Sequence, residues 1–190
     1  MMFTALRTFL ESWKTVLKAV AVAIAALWTV FAYYGSVQDA RVRSALEYRR
    51  ELRSEPLFEQ WQQATIVNLA SSNEKAKAAK AGGATWRQFV IRLASAGESR
   101  KALDTVLSFY DEVWRCVQTD ICDRQTVLEL FGAESQVLHD NYIVFIACER
   151  AIHKDIEYGE GLVSLFVEYF IQKHGRCPRR YLPKISDCSA

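Results

Sequence analysis

From Ala19 to Tyr34 the chain carries no charged residue, and the stretch Val20-Ala21-Val22-Ala23-Ile24-Ala25-Ala26-Leu27-Trp28 is followed by Val30, Phe31 and Ala32. Extended back through Thr15, Val16 and Leu17, with the Lys18 stem reaching towards the interface, the segment attains the ~20 residues with which a helix crosses the hydrocarbon core. Trp13 stands at one end and Tyr33 and Tyr34 at the other, and such amphipathic rings favour the membrane–water boundary. The pattern predicts a transmembrane helix over residues 15–35. A cleaved signal peptide is a weaker reading, because 14 to 18 residues precede the apolar run and aromatics crowd its end. A buried core helix is weaker still, since a helix in a small domain is seldom apolar on every face.

Residues 1–14 form an amphipathic N-terminal segment. Phe3, Leu6, Leu10, Trp13 and Leu17 recur in alternating steps of three and four, while Arg7, Glu11 and Lys14 fall off that stripe. Two readings stand: a helix lying on the membrane surface, or a seam through which the protein meets copies of itself. Sidedness follows from counting Lys and Arg near each end of the span. Arg7, Lys14 and Lys18 precede it, and Arg41, Arg43, Arg49, Arg50 and Arg53 follow it, so the count expects a cytoplasmic body.

The remaining chain is long enough for one domain and one core. Eight Gly and three Pro in 190 residues leave long stretches without breakers, which favours helices over a sandwich or barrel. The expected fold is all-α: the N-terminal transmembrane helix, then an antiparallel bundle of five to seven helices over residues 40–175, then a basic tail over residues 176–190. The most regular element runs from about Glu98 to Val117, with Leu103, Val106, Leu107, Tyr110, Val113, Trp114 and Val117 on one broad stripe. Asp123 is placed to cap a short helix that Gly132 ends, with a longer helix following through Tyr142 and Ile152. Ser71-Ser72-Asn73-Glu74 has capping-box form, and Gly82-Gly83 is the clearest break. A last helix from Leu162 to Lys173 is too short to span a bilayer and belongs in the bundle, with Gly175 at its end.

The search for chemistry yields little. No phosphate-binding Gly loop, nucleophile elbow or H-E-x-x-H occurs. His139, His153 and His174 lie far apart, and any shared site would have to be assembled by folding. Five cysteines, Cys116, Cys122, Cys148, Cys177 and Cys188, lack C-x-x-C spacing and signal neither a zinc site nor a disulfide framework. Cys116 and Cys148 read as small core residues, which favours a reducing compartment, although Cys177 and Cys188 would pair in an oxidising one. Asp111 and Glu112 diverge by about 100° on a helix and read as a solvated face with Arg115. Arg150 and His153 are separated by only two residues, fewer than the four to six of the HEPN ribonuclease motif, so that motif is absent. Arg176, Arg179, Arg180 and Lys184 make the tail a candidate for anionic partners, by counterion release or attraction to headgroups. The net charge of +2 makes no demand for nucleic acid, which stays the less favoured partner.

The stretch Leu107-Ser108-Phe109-Tyr110-Asp111-Glu112-Val113 resembles the "leucine, asparagine, phenylalanine, tyrosine, acidic, acidic" stretch of an uncharacterised bacterial domain family, with Ser108 at the asparagine position. Asp123 to Phe131, Tyr142 to Arg150 and Tyr158 to Tyr169 resemble its later helices in order and spacing. The resemblance implies a bacterial inner-membrane location and a single N-terminal anchor, and no activity. The expected function is therefore non-enzymatic, without a cofactor or metal: a single-pass inner-membrane protein whose cytoplasmic bundle binds another protein or its own copies. The alternative expectation is a membrane-attached antiphage-defence effector or accessory, HEPN-like in fold without the nuclease motif, that perturbs membranes as an oligomer.

Overall fold

The computed structural model describes residues 2–70, 77, 80 and 83–176. Six helices run through them: α1 Met2–Leu52, α2 Glu55–Ala70, α3 Gly83–Ala94, α4 Gly97–Gln118, α5 Arg124–His153 and α6 Glu160–His174. The described residues include no strand, and the fold is the expected all-α bundle with one long apolar N-terminal helix.

The chain divides after Ala40 into two units. The first is the N-terminal part of α1. Every described side chain from Val16 to Ser36 is exposed, and the most apolar stretch has a mean hydropathy of 2.0 with none of it buried. That removes the core-helix reading, because a core helix is a buried one. Met2 to Tyr34 contains neither Pro nor Gly, the usual causes of a kink, and the helix runs unbroken through Gly35 as well. Two of its hydroxyls are satisfied within the helix. Thr29 donates to the carbonyls of Ala25 and Ala26 at 2.7 and 2.9 Å, and Ser36 donates to that of Tyr33 at 2.8 Å. This bonding to the preceding turn is what lets Thr29 sit inside an apolar run.

The second unit begins at Arg41, still within α1. Here the same helix turns from exposed to packed: Ala45 and Leu52 are buried, and the Tyr48 ring meets Phe109 edge to face at 6.1 Å. Arg49 ion-pairs with Glu134 of α5 and lies 5.6 Å over the Phe131 ring. Ser54 ends this turn by donating its N–H to the Glu51 carbonyl, and Pro56 occupies the first turn of α2, where a missing N–H costs little.

α4 packs against α2, α3, α5 and α6. Its expected stripe is buried as read, with Phe109 and Cys116 added, while Trp114 is only partly buried. α6 is packed on α4 and α5, with Leu162, Leu165 and Phe166 fully buried. Asp123 caps α5 as expected, accepting from the Thr126 N–H at 2.8 Å, and Gly175 ends α6 at φ +77°. The capping-box residues 71–74 and Gly82 lie outside the described residues.

Three expectations are corrected. Gly132 does not end a short helix: α5 is one helix of 30 residues, and Gly132 is needed because a Cβ there would stand 2.2 Å from the Tyr169 ring. The glycine marks a close helix–helix approach and not a stop. Asp111 is half-buried and has a structural partner, so it is not simply part of a solvated face. Its carboxylate accepts the Gly161 N–H at 2.6 Å, serving the first turn of α6 from α4. Cys116 and Cys148 are buried as expected, but neither is a free thiol. Cys116 is bonded to Cys122, with Cα atoms 5.2 Å apart, and Cys148 is also disulfide-bonded.

Candidate functional site

The residues marked by sequence for self-association all lie on α1. Trp13 and Leu17 are 53% and 59% exposed, and the same register continues through Ile24, Leu27 and Phe31, all exposed. The side chains of Phe3, Leu6 and Leu10 lie outside the described set. Of the tail candidates, Arg176 is exposed just beyond α6, and Arg179, Arg180 and Lys184 lie outside the described residues.

Within the bundle, side chains of α4, α5 and the connection to α6 converge on Arg100. Its Nε donates to both oxygens of Asp104 at 3.0 Å, and its Nη2 donates to Glu149 at 2.8 Å. The guanidinium lies 5.0 and 5.5 Å over the rings of Phe145 and Tyr158. Tyr158 closes the circuit by donating its hydroxyl to Asp104 at 2.6 Å, and its carbonyl accepts from Arg150 Nε at 2.8 Å. The Glu149 hydrogen bond holds Arg100 even more firmly protonated than usual, against the opposing effect of burial. Burial, then Asp104, pushes the Tyr158 phenol above its ordinary range.

A cavity of about 250 Å³ opens beside this cluster, lined by Arg100, Glu149, His153, Asp155 and Tyr158. His153 Nε2 stands 3.5 Å from Glu149. Both carboxylates nearest Arg100 are committed to it, the Tyr158 proton is given to Asp104, and no Ser, Thr or Cys lines the space. The arrangement fastens the α5–α6 connection to the start of α4. The Arg150 and His153 side chains are taken up separately, one by a carbonyl and one by Glu149.

A larger groove of about 610 Å³ lies between α1 and α4, where Glu47, Glu51 and Glu112 outnumber Arg115 and where Cys116 and Ile121 form part of the wall. Burial, then Glu112 and Glu51, raises the Tyr48 phenol at its edge. The loop from Thr119 to Asp123 forms its rim. Asp120 takes φ +59°, the Ile121 and Cys122 N–H groups both reach the Cys116 carbonyl, and the Asp123 N–H donates to the Arg41 carbonyl at 3.2 Å.

The three histidines part company. His139 is fully buried, stacked on Phe166 with ring centroids 3.7 Å apart, and burial lowers its pKa against the pull of Asp140, so it is a neutral core ring. His153 and His174 are exposed on α5 and α6. Among the described residues, no group of His, Cys, Asp and Glu has the makings of a metal site.

Sequence reading missed the Arg100 cluster. Arg100 and Asp104 have the i,i+4 spacing of a helix pair, which was visible, but Glu149 joins from 49 residues away. No family model, curated protein or solved structure matches the chain.

Proposed function

We propose that this chain is a single-pass membrane protein that works by association and carries no chemistry of its own, with α1 in the bilayer and the helical bundle serving as a binding module on the oxidising side. The observation that carries the reading is α1. Its apolar stretch has a mean hydropathy of 2.0 and no buried part. Exposure to water costs about 1.5–3 kcal/mol for each large aliphatic or aromatic side chain left unburied. A bilayer removes that cost, and a helix satisfies its own backbone there.

The side of the membrane is set by two opposed indications. The five arginines after the span, against three basic residues before it, favour a cytoplasmic bundle. Two of those five are parts of the folded bundle, Arg49 paired with Glu134 and Arg41 near Asp120. Against the count stand three disulfide-bonded cysteines. Cys116 and Cys122 are 5% and 3% exposed, as befits a structural bond, and such bonds persist in oxidising compartments. The cysteines outweigh a margin of two charges. With the likeness around Leu107–Val113, this reading makes the membrane a bacterial inner membrane and puts the bundle in the periplasm.

Protease added outside intact spheroplasts should digest the bundle. Its cysteines, trapped in acid-quenched cells, should resist maleimide until a reductant is added. A protected bundle with reactive thiols would restore the cytoplasmic orientation. Release of the protein by alkaline carbonate would remove the anchor itself.

A further inference from the structure

The N-terminal part of α1 is a single helix that begins before the apolar span and enters it without a break. At 1.5 Å per residue, the dozen or so residues ahead of the span project about 18 Å beyond the hydrocarbon core. A segment that lay flat on the membrane would have to turn sharply where it meets the span, and sharp turns in helices occur at Pro, Gly or bulges. Met2 to Tyr34 contains neither residue, and α1 is continuous through it. With α1 anchored as proposed above, the amphipathic segment extends the anchor beyond the bilayer instead of lying on it.

We infer that this stripe is covered by the same stripe of a second copy, so that α1 forms a parallel helix–helix seam running from the N-terminus into the bilayer. The inference rests on the anchoring proposed above. Phe3, Leu6, Leu10, Trp13 and Leu17 open an alternation of three and four that reaches Tyr34 without a slip, which is the spacing of knobs-into-holes packing. Arg7, Glu11 and Lys14 all stand off it.

The register points to a second copy in place of a different partner. Copies of a membrane protein insert with one orientation and at one depth. Each residue of α1 is thereby brought level with the same residue of its neighbour, and a heptad stripe is complementary to itself in that arrangement. Confinement to a membrane also raises the effective concentration of one copy around another. On the stripe, Leu17 and Ile24 are 59% and 60% exposed.

The test is a cysteine scan of the full chain in native membranes, with Leu6→Cys and Leu10→Cys on the stripe and Thr8→Cys and Ser12→Cys off it. Each is treated with a short bismaleimide and compared with the parent chain. Dimer-mass product several-fold stronger at the two stripe positions than at the other two supports the seam. Equal product at all four, or none above the parent, overturns it. The same samples are washed with alkaline carbonate. Protein that stays in the pellet without the periodic pattern defeats the seam alone, whereas protein that washes off defeats the anchoring reading and the seam with it.

Discussion

Phe31 and Phe131 are one kind of side chain under opposite rules: the first is 73% exposed on the N-terminal part of α1, the second fully buried in the bundle. In the bundle, apolar groups are satisfied by other parts of the same chain, as Phe131 is by Phe109, Tyr110 and the Arg49 guanidinium. The side chains of residues 16–36, by contrast, are all exposed. The contrast teaches that the two units dispose of apolar surface differently: the bundle closes it internally, and the N-terminal part of α1 leaves it open, as the proposed anchor requires.

The sharpest way to break that contrast is through glycine. A Cβ on Gly161 would stand 2.2 Å from the Tyr110 carbonyl oxygen and 2.5 Å from the Asp111 Cα, both backbone atoms, whereas Gly35 has nothing within 4 Å. Gly161→Ala should destabilise the bundle by about 3 kcal/mol. Gly35→Ala should leave it unchanged. Denaturant unfolding of the detergent-solubilised full chain, followed by circular dichroism, checks both, and equal effects would show that α1 and the bundle do not differ as described.

Next in size is Arg100→Ala, which leaves Glu149, with a side chain only 12% exposed, without its guanidinium. The expected loss is about 2 kcal/mol, smaller than for a fully buried pair because Arg100 is partly solvated. Arg100→Lys should recover only part of it, since an ammonium lacks the fork that serves Asp104 and Glu149 together.

A smaller effect concerns pH. Burial raises the Asp111 carboxyl from 3.8 to about 6, the Gly161 N–H opposing the shift. The folded state thus holds this proton more tightly than the unfolded one. The associated stability is fully present below about pH 4 and is lost as pH rises through 6. Asp111→Asn keeps an acceptor for Gly161 and should remove that slope, worth about 1 kcal/mol after allowance for partial exposure. Unfolding midpoints of both proteins between pH 4 and pH 7 measure it. The smallest change is expected on the N-terminal part of α1: Ile24→Ala should alter bundle stability by less than about 0.5 kcal/mol.

What could be read from sequence was what is local. The long apolar helix announces itself in one uncharged run, and α4 in a stripe that 3.6-residue periodicity makes visible. Asp123 and Gly175 serve the helix ends where they stand, so their capping roles were legible too. Gly132 was misread because the reason for it, the Tyr169 ring, lies on another helix. The exposed assignment of Asp111 failed likewise, since Gly161 comes 50 residues later. Cys116 and Cys122 sit six residues apart. The signal available was that α4 must end between them, at Thr119, which brings the second sulfur back onto the last helical turn.

The two close approaches of α6 have a mechanical consequence. One side of this helix presents the Tyr169 ring to the notch left by Gly132 on α5, and another brings Gly161 against the backbone of α4. Advancing α6 by one turn, about 5.4 Å, would drive Leu165 into the place where Gly161 leaves room only for a hydrogen. The helix is indexed like a shaft held by two keys, so piston strokes and ratchets of the kind that relay signals in other bundles are closed to it.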